Sequence, residues 1–227
     1  MTQRLAVLHT SFVFINVEKV FTELYKELIP DVEIVDFVDS HILADLRKVG
    51  TINKTHIQRM TNMALAAQAS GADIIFSACS SLGPSIDFAR QMVDTPIIKI
   101  DDPMTQKAVE LGKHIGVMAT VPTTLPPTID LLHYWAGKQD KTVSTQQVLC
   151  EGAFESLMSG DRAKHDAIVE EKARALAQQV DIIVLAQASM SRLAPDLTIK
   201  IGKQVLGSPR LAVEYIKKCF EDPQLLK

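Results

Sequence analysis

Sliding the sequence along itself brings two pairs of segments into match at almost one spacing. "LAVLHT" (5–10) falls on "IGVMAT" (115–120), 110 residues on, with Thr10 over Thr120. "ADIIFSACSS" (72–81) falls on "VDIIVLAQAS" (180–189), 108 residues on, with Asp73 over Asp181, Ala78 over Ala186 and Ser81 over Ser189. Buried strands of similar composition can match by chance, but near-equal spacing argues for a duplicated unit. An internal repeat has to be settled before any fold is assigned.

The repeat sits in a chain where strand and helix patterns alternate. Short apolar β-type runs lie at 4–10, 32–38, 72–78, 95–100, 114–120, 142–149 and 180–186, and most have the unbroken apolar character of parallel strands covered on both faces. Amphipathic stretches at 16–28, 54–70, 85–92, 104–111, 125–136 and 163–179 read as helices, and "SPRLAVEYIKKCF" (208–220) as a closing one. Such alternation gives the α/β class. Two pseudo-symmetric lobes follow, each a mainly parallel sheet flanked by helices: 1–100 with 208–227, and 101–207.

Ligands of open parallel sheets bind beyond the carboxyl ends of the strands. The repeat puts Thr10 and Cys79 at two such ends in the first lobe, and Thr120 and Gln187 at the matching ends in the second. An active site in a cleft between the lobes is expected, with Cys79 opposite Gln187.

Composition narrows the partners. The 227 residues are 47% hydrophobic, enough to bury one large core or two small ones. A net charge of -3 with scattered Lys and Arg gives no case for nucleic acid. No apolar run approaches the roughly 20 residues of a membrane span, so a cytoplasmic protein acting on a small molecule is expected. The three cysteines, Cys79, Cys150 and Cys219, show neither disulfide-framework nor metal-ligand spacing. No Walker loop or GxGxxG fingerprint is present, so no nucleotide site is expected, and the cysteine spacing gives no metal site.

Cys79 differs from the other two cysteines in its setting. "FSACSSLG" runs from a strand into a glycine-containing loop and a helix opening near Ser85, which aims backbone N–H groups and two hydroxyls at one point. That point suits a thiolate, a carboxylate, or the enediolate left when the carbon beside a carboxylate loses a proton or CO2.

The segments "GADIIFSACSS", "PIIKIDDPM", "IGVMATVPTTLPPT", "EGAFESLMSGD" and "VDIIVLAQASM" resemble the aspartate/glutamate racemase superfamily, whose relatives include hydantoin racemases, maleate isomerases and arylmalonate decarboxylases. The resemblance covers most of the chain. It implies two pseudo-symmetric α/β domains, no cofactor, a homodimer or higher homo-oligomer, and one acid/base cysteine per half. Cys79 takes the first of those positions. Gln187 stands where the second is expected, a departure that makes this a single-thiol variant.

Glutamine exchanges no proton near neutral pH but does hydrogen-bond a carbonyl or carboxylate. Gln187 is thus expected to orient or stabilise, with Cys79 as the thiol acid or base. Candidate carboxylate ligands are Thr10, Ser11, Thr120, Thr123 and Thr124, with Ser80, Ser81, Ala188 and Ser189 flanking the central pair. Those hydroxyls equally suit turns and helix caps. Period-2 alternation sends His9 to the face opposite Thr10, and packing is its default. His56 and His165 read as solvated helix positions, and Arg59 and Arg90 as surface.

The expected activity is a cofactor-independent isomerase of racemase or epimerase type, working beside the carboxylate of a small acid or amino acid. A decarboxylase or other carbon–carbon lyase on a malonate-type acid is the alternative. From another class, a non-catalytic carboxylate-binding protein fits the same residues.

Overall fold

The computed structural model describes residues 2–17 and 19–226. The chain divides into two compact units, Met1–Ile100 with Pro209–Lys227, and Asp101–Ser208. Each contains a four-stranded parallel sheet with helical crossovers.

In the first unit the strands are β1 (Arg4–His9), β2 (Glu33–Val38), β3 (Ile74–Ser77) and β4 (Ile97–Lys99), in spatial order β2-β1-β3-β4. The helices joining them are α1 (Val20–Leu28), α2 (Ile42–Val49), α3 (Lys54–Ala69) and α4 (Gly83–Ala89). Central β3 is buried along its whole length, while edge strand β2 keeps a partly exposed, partly charged pattern. That contrast is what helices on both faces and a solvated edge require. Leu8, Ile42, Leu46, Met60, Ile75 and Ile86 fill one face of the sheet, and Cys79 packs against this cluster, partly buried. On the aromatic side Phe76 meets Phe21 edge to face, with ring centroids 5.6 Å apart.

In the second unit the strands are β5 (His114–Ala119), β6 (Ser144–Leu149), β7 (Ile182–Leu185) and β8 (Val205–Gly207), in spatial order β6-β5-β7-β8. The helices are α5 (Asp102–Leu111), α6 (Leu125–Lys138), α7 (Ala153–Met158), α8 (Arg162–Leu176) and α9 (Ala194–Ile201). Met118, Leu176, Ile183, Leu185 and Met190 centre its core. The chain then enters α10 (Ser208–Glu221), nearly all of which belongs to the first unit.

The repeat read from sequence is present in the strand register. Leu8 pairs with Ser77 on β1 and β3, and Met118 pairs with Leu185 on β5 and β7. At the strands' opposite ends, Asp73 donates its N–H to the Arg4 carbonyl (2.9 Å) and accepts the Arg4 N–H on its carboxylate (2.8 Å). Asp181 does the same with His114, at 2.7 and 2.9 Å. The matched aspartates are therefore strand-start staples.

Two histidines depart from the expected solvated positions. His56 is buried because it completes a capping box at the start of α3: its Nδ1 accepts the Asn53 N–H, and Asn53 Oδ1 accepts the His56 N–H. His165, also buried, bonds through Nδ1 to Asp166, which in turn pairs with Arg192. Arg59 clamps Asp39 and Asp45 of the chain itself and is partly buried. The short elements α2, α7, α9 and β8 lie outside the stretches expected from sequence. Among the described residues, no helix is long and apolar enough to cross a membrane.

Candidate active site

Two residues beyond the register pairs Leu8–Ser77 and Met118–Leu185 stand Thr10–Cys79 and Thr120–Gln187. Cys79 and Gln187 hold nearly the same extended backbone, with φ/ψ of -134/113° and -130/137°, and each leads into a 3-10 turn. Proline near the start of α4 and of α9 then favours the helix that follows. The two units thus present equivalent strand-end turns built by equivalent local sequence.

In the second unit this turn is closed by a side chain. Gln187 Oε1 accepts the Thr120 N–H at 2.5 Å, the Val121 N–H at 2.9 Å and the Thr120 hydroxyl at 3.0 Å. Both donors of Thr120 are thereby engaged within the unit. Successive backbone N–H groups of this kind form a nest, a concavity that holds an oxygen or an anion.

In the first unit Thr10 and Ser11 occupy the places of Thr120 and Val121, facing a cysteine in place of glutamine. A cysteine side chain reaches two atoms less far than glutamine's and cannot fill a nest in the same way. Thr10, Ser80 and Ser81 are buried beside Cys79's turn, and Cys79 itself is half-buried. The Ser11 hydroxyl oxygen accepts the Val13 N–H at 3.4 Å, which leaves its own hydrogen for a ligand.

The remaining expected site residues also fall beyond strand ends. Thr124 is buried at the start of α6, its N–H on the Val121 carbonyl and its own carbonyl accepting the Thr128 hydroxyl. Thr123 lies in the 3-10 turn before it and is partly exposed. Ala188 is buried and its carbonyl accepts the Ser191 hydroxyl, while Ser189 is half-buried next to it. Val121 is a contributor that sequence reading missed, since a backbone N–H carries no residue signature.

His9, on the face opposite Thr10, is buried and bonds through Nε2 to Asp36 at 2.9 Å. Cys150 is fully buried, and burial pushes its thiol up to about 11 against a smaller lowering by Lys172. The Cys219 thiol is raised as well, again chiefly by burial. No group of three or more His, Cys, Asp or Glu side chains suited to a metal occurs among the described residues.

A family model described as Asp/Glu/Hydantoin racemase matches residues 17–216. The chain belongs to the Asp/Glu/hydantoin racemase family.

Solved structures carry the same fold. The chain is similar to an allantoin racemase from Klebsiella pneumoniae, with 20% identity, a TM-score of 0.70, and 96% of this chain and 88% of that one covered. It is also similar to a glutamate racemase from Bacillus anthracis, with 14% identity, a TM-score of 0.74, and 99% and 84% covered. An aspartate racemase from Picrophilus torridus gives 14% identity, a TM-score of 0.67, and 95% and 93% covered. At such identities the likeness is one of fold. No curated protein matches the sequence. In this chain the second strand-end turn is closed by Gln187.

Proposed function

We propose that this chain is an isomerase of racemase or epimerase type, acting at the carbon beside the carboxylate of a small acid, with Cys79 as its acid/base. The carrying observation is the strand register that sets Cys79 beside the Thr10–Ser11 turn, in the position whose counterpart forms an oxygen-holding nest. Family membership supports the class of reaction.

The chemistry follows from those groups. A carboxylate held by the Thr10 and Ser11 amides and the Ser80 and Ser81 hydroxyls has its adjacent carbon acidified, because negative charge that develops there spreads onto oxygens already bound by donors. The Cys79 thiolate takes the proton, becoming the thiol and leaving an enediolate. Return of a proton to the opposite face requires a second donor. Water serves in the proposal: it gives a proton to carbon, and the hydroxide formed recovers the proton from Cys79. The balance closes without a cofactor.

Glutamine at the second position favours one other reading, a decarboxylase. Loss of CO2 gives the same enediolate, and only one proton, from Cys79, is then needed.

Proton NMR in D2O separates the two. Incubation with α-amino, 2-hydroxy and malonate-type acids should place deuterium on the carbon beside the carboxylate, with loss of that exchange in Cys79→Ala. A deuterated product one CO2 shorter would establish the decarboxylase. Acids that bind yet stay unchanged in wild type would overturn proton transfer for this chain.

A further inference from the structure

We infer that Gln187 is a fixed hydrogen-bond donor to the substrate, and that the substrate group facing it is an acceptor oxygen, a carboxylate or carbonyl, rather than an ammonium. This rests on the reading of the strand ends as the active site.

The orientation of the amide is decided by its neighbours. Two of the three groups around Oε1 are backbone N–H groups, which can only donate. Turning the amide over would set its NH2 against both, so Oε1 belongs in the nest. An amide oxygen has two lone pairs, and three donors exhaust them. Gln187 therefore has no acceptor left for a substrate N–H.

The other end of the amide is a different matter. Nε2 diverges from Oε1 about the planar Cδ, away from the Thr120–Val121 turn. No hydrogen bond from it is made among the described residues. Three donors on the oxygen draw electron density out of the amide and strengthen Nε2–H as a donor. Gln187 is half-buried at the carboxyl end of β7, where a ligand of a parallel sheet is received.

The consequence is a rule for substrate choice. An acceptor oxygen meets an Nε2–H donor. An ammonium at the same place meets hydrogen against hydrogen and leaves the amide donor unanswered, so the site discriminates against it. A second anion nest is not offered here, because Gln187 fills it from within.

The test uses three compounds that differ only in one group on a carbon bearing methyl and carboxylate: methylmalonate, lactate and alanine. Wild type should bind methylmalonate at least tenfold more tightly than alanine, with lactate between. The side-chain NH2 resonances of Gln187, assigned by their loss in Gln187→Glu, should shift on titration with methylmalonate. Gln187→Glu keeps an oxygen for Thr120 and Val121 but has no donor, so it should keep the wild-type Tm while losing the methylmalonate preference. Gln187→Met, which empties the nest, should lower the Tm.

Equal wild-type affinity for methylmalonate and alanine, or an unchanged order in Gln187→Glu, would overturn the inference, as would an absence of methylmalonate binding. The Cys79 reading is judged separately. Deuterium exchange lost in Cys79→Ala with unmoved Gln187 resonances removes the inference alone, whereas shifted resonances without exchange remove the proposed reaction alone.

Discussion

Asp181 and His114 are joined twice, by the Asp181 N–H on the His114 carbonyl at 2.7 Å and by the His114 N–H on the Asp181 carboxylate at 2.9 Å. The same carboxylate oxygen takes the Lys113 N–H at 3.0 Å. These two backbone donors hold the Asp181 carboxyl below its usual value, His114 first. A carboxyl depressed in the fold adds stability above its unfolded value, near 4, and that contribution is lost as pH falls through the folded value. Asp181→Asn should therefore unfold at lower urea than wild type at pH 7, with the gap narrowing in acid below the unfolded value. A gap that stays constant with pH would show that the charge contributes nothing.

Iodoacetamide at pH 8 should label the folded protein at Cys79 and spare Cys150 and Cys219. Cys79 is partly exposed, whereas Cys150 is closed off and, with its thiol near 11, has only about a thousandth present as thiolate at that pH. Peptide mapping by mass spectrometry gives the answer. Comparable labelling of Cys150 would mean that the core of the second unit opens on the timescale of the reaction.

Gly207, at the end of β8, stands against the turn that follows Gln187. A Cβ built there would lie 2.8 Å from Ser191 Cβ and 3.0 Å from Ser191 Cα. Backbone cannot yield as a side-chain tip does, so Gly207→Ala should cost about 1–3 kcal/mol and shift the Gln187 side-chain resonances. Gly137 in α6 is the control, with open space at its Cβ position. Gly137→Ala should stabilise by about 0.5–1 kcal/mol, measured by urea unfolding.

Phe76→Ala should cost about 3–5 kcal/mol, since the ring is fully buried and stacked edge to face on Phe21. Phe76 lies three residues before Cys79 on the same strand path, so the variant's exchange activity should fall along with its unfolding midpoint. A cost under 1 kcal/mol would show that the site collapses around the missing ring.

The fold was legible because buried parallel strands leave continuous apolar runs, and the repeat of "LAVLHT" and "ADIIFSACSS" marked which ends correspond. Asp73 and Asp181 stood out in the same match, although their work proves to be stapling strand starts. Less could be read where one or two turns make an element: α9 has eight residues and β8 three, too few to show a period. His56 and His165 were misjudged because helix spacing does not show that one ring caps its own helix and the other sits under an aspartate. The position of Gln187 was evident, but its partners were not, being chiefly main-chain N–H groups that any residue could supply. Domain-sized symmetry survives in sequence, whereas the direction of one amide does not.

The return of α10 to the first unit bears on the order of synthesis. Arg210 on that helix forks onto Glu27 of α1, and the Phe220 carbonyl takes the Gln3 side chain. In order of synthesis, the stretch 101–208 is complete while the earlier-made 1–100 still lacks the helix that completes it. The earliest-made unit thus depends on the last-made helix, and a released chain ending at residue 208 should expose an unfinished amino-terminal half while 101–208 holds every element of its own unit.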